Sequence, residues 1–552
     1  MVVDILGSST PISNKMIGMR GADQIARALE HAGARVVFTV SGNHVMSVFD
    51  ALLETGIRLI HARHEAAAVH VADAWARLTG ECGFALVTGG PGHSNAVSGL
   101  YTAQAAEAPV VLLSGHAPLS ELGRGTFQEM RQAELAQPLT KMSWTAQADI
   151  SLEWQLLEAI AIAKSGRPGP VHLSLPVDLL EFDGAEHKPA RGPAVSNPDI
   201  DLSAALLERL SASERPIILA GPLLCQPAAG DVLPRLDAAL GVPVVAMESP
   251  RGLNDPALGA FRHVLERADL LVLLGKTHDF TLRFAEPPFV DPACKFVVID
   301  PDPAMIGRIL REKGDRVRFS AVADPRRAAE GLGAQSRPAP GKLEWHTEVT
   351  KAVNYRPVDW DDASSRTPGK LHPIELCRAV NAAIASRLDA VLICDGGEIG
   401  QWAQSLVRCP RRIINGVAGS IGAAVPFAIG VAAAEPGRPV VAISGDGAFG
   451  FHMAEFDTAV RYRLPFVAVI GNDAAWNAEH QIQLRTYGTQ RAHSCQLLPS
   501  RYDQAVAALG AYGEIVTSAE ELPGALDRAF GCAGPACINV MIEQVPAPVI
   551  DI

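Results

Sequence analysis

The segment SGDGAFGFHMAEFDTAV, directly after the apolar run PVVAI, holds the most chemically suggestive residue types and spacing in the chain. Read literally, Gly445, Gly447 and Gly450 spell G-x-G-x-x-G, the pattern of a dinucleotide-binding turn. Asp473, at the end of the next apolar run, then stands where a ribose-binding carboxylate would lie. Asp446 speaks against that reading. It sits in the tight turn where a pyrophosphate must approach the backbone, and a carboxylate there repels phosphate unless a divalent cation lies between them. Mg²⁺ commonly bridges one or two protein carboxylates and substrate phosphates. A second ligand is then expected at the end of the adjacent strand, where Asn472 and Asp473 stand, and a third from a loop carbonyl at Ala475.

A GDG followed some two dozen residues later by an Asn-Asn or similar pair resembles the signature of thiamine-diphosphate enzymes. The chain is similar to that family over nearly its whole length, on the branch holding acetolactate synthase, benzaldehyde lyase and the 2-hydroxyacyl-CoA lyases. The resemblance implies thiamine diphosphate and Mg²⁺ as cofactors, with Asp446, Asp473 and the Ala475 carbonyl on the metal. The family usually has Asn where this chain has Asp473; the extra carboxylate keeps an oxygen ligand and adds a charge that Mg²⁺ tolerates. The resemblance also puts Gly397, Glu398 and Ile399 of CDGGEIGQW, together with Gly445, near the diphosphate. Gly447 and Ala448 would donate from a helix start, where unpaired N–H groups favour anions. Ile421 falls at the position of the apolar residue that bends the cofactor, the Gly419 carbonyl would accept from its aminopyrimidine, and Trp476 lies beside it.

Such a cofactor needs a carboxyl group hydrogen-bonded to its pyrimidine ring, so that the ring's own amino group can take the thiazolium proton. The family supplies it from an R-H-E after an early strand, which makes Glu65 of IRLIHARHEAAAVH the candidate. In isolation Glu65 reads first as an acid favoured in a first helical turn; with the metal motif downstream in the expected order, the catalytic reading prevails. His44 in SGNHVMS and Gln128 in GTFQEM match family positions facing the reactive carbon, where such groups shuttle a proton or stabilise an alkoxide. Capping or packing remains the other reading of His44. Asn43, Gln401, Trp476, Ala478 and Gln481 are expected to line the substrate pocket.

The elements that must position these residues follow from short apolar runs, each ended by Gly or Pro and followed by a helical pattern. VVFTV, FALVT and VVLLSG mark a first block, with helical patterns at Asp23 to Ala32 and Glu65 to Leu78. PIILAG, PVVAM, LLVLLG and FVVID mark a second, and VLICDGG, PVVAISGDG, PFVAVIGND and CINVMIE a third. Continuous apolar strands alternating with helices predict parallel sheets covered on both faces. The expectation is an α/β protein of three open parallel-sheet domains: pyrimidine-binding (1–182), middle (200–335) and diphosphate-binding (370–552). A Pro-rich linker, FDGAEHKPARGPAVSNPD, and an irregular stretch from Ser336 to about His372 separate them. Gly416 to Ala434 is uncharged and long enough to span a bilayer, yet rich in Gly and Ala, and reads better as a buried helix.

Composition bounds the rest. The chain has 552 residues, too many for one hydrophobic core. Its net charge of −12, without long runs of one sign, disfavours nucleic acid and anionic membranes as partners. Nine scattered cysteines without metal-site spacing read as reduced thiols of a cytoplasmic protein, and the N-terminus lacks a signal-peptide pattern. The family resemblance implies a homodimer at minimum, with a homotetramer expected, since its two cofactor-binding domains come from different subunits.

All readings on this branch share ylide and enamine chemistry on a carbonyl. GKTHDFTLRF has Thr281 where acetolactate synthases carry the last Arg of an Arg-rich run, which argues against that activity. LRFAEPP resembles the hydroxyacyl-CoA lyases, whereas the stretch after the last apolar run looks too short for their C-terminal lid. The expected function is a carbon–carbon lyase or carboligase acting on aldehydes, acyloins or 2-oxo acids. A 2-oxo-acid decarboxylase, a 2-hydroxyacyl-CoA or oxalyl-CoA lyase or decarboxylase, and an acetolactate-synthase-like transferase stand as alternatives, and an NAD-dependent oxidoreductase stands outside the class.

Overall fold

A computed structural model describes residues 19–182, 201–335 and 340–550. Its first sheet comprises β1 (Val36–Thr39), β2 (Arg58–His61), β3 (Gly83–Val87), β4 (Val110–His116), β5 (Met142–Thr145) and β6 (Val171–Pro176), in the order β2-β1-β3-β4-β6-β5. The second has β7 (Pro216–Ala220), β8 (Val244–Ala246), β9 (Leu270–Leu274), β10 (Lys295–Asp300) and β11 (Val317–Val322), in the order β11-β10-β9-β7-β8. The third has β12 (Val391–Cys394), β13 (Arg412–Ile414), β14 (Val440–Gly445), β15 (Val467–Asn472), β16 (Tyr512–Val516) and β17 (Ala536–Met541), in the order β13-β12-β14-β15-β17-β16. Every pairing is parallel, as expected for apolar runs joined through helices.

Strand order reverses between β1 and β3, between β7 and β9, and between β12 and β14. Open parallel sheets bind ligands beyond the strand ends at such switch points. In the middle sheet that place is filled from within. Arg167, between the first sheet's elements, pairs there with Glu107 and Asp300, and the Leu223 N–H donates to Glu107 at 3.2 Å. The switch points of the other two sheets are lined by the candidate residues.

The first and third sheets share one core. Helix Glu65–Thr79 and helix Ala424–Ala434 pack face to face between them, drawing Val71, Ala74, Phe427 and Val431 into a cluster that also takes in Val87 and Ala442. Gly430 permits the approach: a Cβ there would stand 2.6 Å from the Val71 carbonyl oxygen. Arg77, buried and paired with Asp73, reaches across to the Ile414 carbonyl at 2.7 Å.

Three expectations need correction. Only Ala424–Ala434 of the uncharged stretch is helical. Residues from Gly416 onward form a turn, because Gly416, Gly419 and Gly422 take positive φ of 70°, 68° and 89°. The stretch after Ser336 is not irregular throughout, since Leu343–Asn354 is a helix whose Trp345, Val349 and Ala352 recur at helical spacing and enter the middle core. Five strands, β5, β6, β11, β13 and β16, went unread, and β2 was placed only by the resemblance, ahead of R-H-E. β2, β5, β11, β13 and β16 are sheet edges, short or half-exposed, so their sequences lack a continuous apolar run. β6 is buried, but His172 and Ser174 break its run; His172 Nδ1 bonds Ser143 Oγ at 2.8 Å. The first linker lies almost wholly outside the described residues. No described helix is long and apolar enough to cross a membrane, and all nine cysteines are free.

Candidate cofactor and active site

Beyond the carboxyl ends of β12, β14 and β15 lies a cavity of about 320 Å³. Gly445 of β14 pairs with Gly471 of β15, so Asp446, one residue on, and Asp473, two residues on, come to face each other. Both side chains are buried, and Asp446 Oδ2 has no hydrogen-bond partner among the described residues. Burial holds both carboxyls above their usual range, and for Asp473 the facing Asp446 adds to the rise. The neighbouring Asn472 turns away, donating to the Ser500 carbonyl and to Asn539 Oδ1 at 3.0 and 3.1 Å. Ala474 takes a left-handed φ of 57°, and Ala475 lines the cavity just beyond it. Among the described residues no group of three His, Cys, Asp or Glu gathers to hold a metal. Two carboxylates with an orphaned oxygen are instead a partial set, of the kind that Mg²⁺ completes with carbonyl, water and phosphate oxygens.

The remaining third-domain candidates meet at the same cavity: Gly397, Glu398, Ile399, Gly419, Ile421, Gly445, Gly447, Ala448 and Trp476 all line it. Helix Gly397–Leu406 and helix Asp446–His452 both begin there, and the first turn of a helix has N–H groups without intrahelical partners, a setting that favours anions. Gly397 has φ 79°, and a Cβ at Gly447 would stand 2.7 Å from the Trp476 ring. Ile421 is half-exposed rather than core, with its side chain against Gly396. Asp395, which the sequence did not single out, ties the cradle together. Its carboxylate accepts from the Gly396, Gly422 and Ala424 N–H groups and from Ser444 Oγ, at 2.8 to 3.3 Å.

Glu65, His44, Gln128 and Asn43 stand elsewhere, at the carboxyl ends of β1 and β3, and line neither this cavity nor the cleft beside it. Glu65 opens its helix and accepts from Asn95 Nδ2 at 3.0 Å. His44 Nδ1 lies 3.2 Å from Thr88 Oγ1, its ring stacked on Phe127, and burial lowers its pKa. Gln128 has φ 58°, packs against Gly90, and leaves its Oε1 buried without a partner among the described residues. Asn43 is exposed in the turn before His44. The candidate residues therefore fall into two groups, one at the first sheet and one at the third.

Three adjoining stretches match family profiles: residues 19–135 a thiamine pyrophosphate enzyme N-terminal TPP binding domain, 203–332 a central domain, and 395–540 a C-terminal TPP binding domain. The chain belongs to the thiamine pyrophosphate enzyme family. It is 32% identical to a probable acetolactate synthase of Mycobacterium bovis, with 95% of this chain and 96% of that protein aligned. It is 30% identical to 2-hydroxyacyl-CoA lyase 2 of Homo sapiens, with 91% and 86% aligned. A probable acetolactate synthase large subunit of Methanocaldococcus jannaschii is 28% identical over 96% of this chain and 93% of its own. The family assignment overturns the dinucleotide reading of the glycine triplet, and it makes the chain an enzyme of carbon–carbon bond chemistry.

In this family member the cradle opens into a cleft of about 900 Å³ between the middle and third domains. Gln401 and Ala478 line both spaces, while Gln481 lines the cleft alone. Leu253, Trp402, Ile482 and Val549 give the cleft an apolar wall, and Arg251, Arg262 and Arg485 bring positive charge. Arg251 stands 3.7 Å from Glu398, whose carboxyl burial pushes up. The segment after β17 crosses this cleft. Gln544 donates to the Asp473 carbonyl at 2.9 Å, Trp402 donates to the Pro546 carbonyl at 3.1 Å, and Ile550 is buried in the middle core. Ser249, Pro250 and Arg251 were invisible to motif reading because they reach the cradle from the middle sheet, on a loop with no signature of its own.

Proposed function

We propose that the chain is a carbon–carbon lyase or carboligase acting on aldehydes, acyloins or 2-oxo acids, with thiamine diphosphate held through Mg²⁺ at the Asp446–Asp473 pair. The buried Asp446 oxygen, without a partner among the described residues and facing a second carboxyl, carries this reading, because such a pair is stable only around a cation or a proton. Thiamine diphosphate supplies a carbon nucleophile that adds to a carbonyl and stores the electron pair released when the neighbouring bond breaks. Asp446, Asp473 and the Ala475 carbonyl would hold the metal, and Gly397, Glu398, Ile399, Gly445, Gly447 and Ala448 the diphosphate. Ile421, Gly419 and Trp476 would hold the rings, and Glu65 would fix the protonation state of the pyrimidine. His44 and Gln128 would serve the reacting carbonyl, with Asn43, Gln401, Ala478 and Gln481 around the substrate.

The separation of Glu65 from the cradle supports a homodimer at minimum, with the first domain of one chain facing the third domain of the other; a homotetramer built from two such pairs follows only from the family resemblance. Nine free thiols suit a reducing, cytoplasmic setting.

Calorimetric titration of apo-protein with thiamine diphosphate and Mg²⁺ tests the cofactor reading. Tight, chelator-sensitive binding is expected, and binding indifferent to chelator defeats it. A product screen with pyruvate, benzoylformate, benzoin and a 2-hydroxyacyl-CoA tests the reaction. A second reading, thioester cleavage, draws on the 900 Å³ cleft, roomy beyond the needs of a small aldehyde and lined by three arginines against two carboxyl residues, Asp255 and Glu398. Turnover of the 2-hydroxyacyl-CoA in preference to benzoin would select it.

A further inference from the structure

Glu455 lines no part of the cradle, yet it grips the turn that presents Glu65. The side chain is 1% exposed. Its Oε1 accepts from the N–H groups of Arg63 and His64 at 2.9 and 3.0 Å, and its Oε2 from Arg63 at 3.1 Å and Thr458 Oγ1 at 2.7 Å. The helix that Glu455 opens, Glu455–Tyr462, holds the rest of the turn: Tyr462 Oη accepts the His61 N–H at 2.9 Å, and Arg461 donates to the His61 carbonyl at 2.6 Å. Each main-chain group so held lies within four residues of Glu65. Hydrogen bonds from N–H to a buried carboxylate are among the strong ones, and a donor left unpaired here would be costly. The same unit begins at Asp446, since helix Asp446–His452 runs into Glu455–Tyr462 with two residues between. One continuous stretch of the third domain thus carries the candidate metal ligand at one end and holds the turn before the candidate glutamate at the other.

We propose that Glu455 is the positioning residue for Glu65, fixing the turn after β2 so that the Glu65 carboxyl meets the pyrimidine of the cofactor. The proposal rests on the reading of Glu65 given above. Glu455 touches neither cofactor nor substrate; it acts through the main chain of Arg63 and His64.

The test compares Glu455→Ala, Glu455→Asp and Glu455→Gln with wild type and with Glu65→Gln in the full-length protein. Hydrogen exchange of the apo-protein, read at the amides of residues 61–66, reports the grip without any cofactor. With thiamine diphosphate and Mg²⁺ bound, the exchange rate of the thiazolium C2 proton reports the aim of Glu65, and calorimetry reports cofactor affinity. In Glu455→Ala the Arg63 and His64 amides are expected to lose protection. C2 exchange should slow by about a hundredfold, as for a catalytic group displaced by about an ångström, toward the Glu65→Gln rate, while affinity changes far less. Glu455→Gln, which keeps an oxygen for both N–H groups, should recover most of the C2 rate. Should Glu455→Ala not fold, Glu455→Asp, shorter by one methylene and still charged, is expected to show the same effects in weaker form. Freed amides with a wild-type C2 rate in either variant overturn the proposal and leave the cofactor reading intact, as does a C2 rate no better in Glu455→Gln than in Glu455→Ala. Failure of the wild type to bind thiamine diphosphate, or a normal C2 rate in Glu65→Gln, instead defeats the reading of the site, and the proposal falls with it.

Discussion

Asp446 and Asp473 face each other in a buried space where two negative charges are costly without a cation. Asp446→Asn is expected to weaken Mg²⁺-dependent thiamine diphosphate binding by at least about tenfold, the lower end for a lost metal-site group, measured by calorimetry. The same substitution should raise the melting temperature of the apo-protein, because it removes one of the opposed carboxylates; an unchanged affinity refutes the assignment. At Gly447 a Cβ would strike the Trp476 ring at 2.7 Å, so Gly447→Ala should lower cofactor affinity while leaving the fold intact by circular dichroism. The candidate metal residues were legible in the sequence because they are local: a strand end, a tight turn and the next strand end lie within one short stretch. Asp395, Asn95 and Arg251 were not, although they brace or line the site. Their partners lie tens or hundreds of residues away, and only the folded topology joins them.

At the scale of elements, buried parallel strands were readable as uninterrupted apolar runs, while edge strands such as Arg58–His61 and Tyr512–Val516 were not, since all but one residue of each is at least partly exposed. The seam between helix Glu65–Thr79 and helix Ala424–Ala434 carries two tests. Gly430→Val would press a branched side chain into the Val71 carbonyl and Ala74 Cβ, at 2.6 and 2.9 Å from the new Cβ. A loss of about 1–3 kcal/mol is expected for such overpacking, read by chemical denaturation. His70, in the same seam, meets Phe427 and His452 edge-on, with Nδ1 buried and unpartnered among the described residues. Burial first, then His452 and Arg77, pushes its pKa down from 6.5 to about 3. A histidine depressed in the folded state resists protonation there, so its contribution to stability is complete above pH 6.5 and drains away as pH falls toward about 3. His70→Leu should therefore flatten the acid limb of the stability–pH curve, and an unaltered slope would assign acid sensitivity to other groups.

At the scale of the molecule, the proposed pairing of the first domain of one chain with the third domain of another leaves neither group of candidate residues complete within its own chain. Glu65→Gln and Asp446→Asn should each be inactive alone. After unfolding and co-refolding, random pairing of equal amounts should restore about a quarter of wild-type activity, since half the symmetric dimers become mixed and each mixed dimer holds one intact site. No recovery would place Glu65 and the cradle of one chain in the same site. The three-sheet architecture was legible from the alternation of strand and helix signals. The bridging of first and third sheets through one core was not, because periodicity reveals which face of a helix is apolar and not which neighbour covers it.

Trp476 leans on Gly447 at the wall of the cradle, one of seven tryptophans in the chain and, among the described residues, the only one lining it. An indole so placed is a built-in optical reporter. Its emission should dim as an aromatic ring settles beside it, giving a label-free titration curve, and Trp476→Phe should silence that signal while the other six continue to glow.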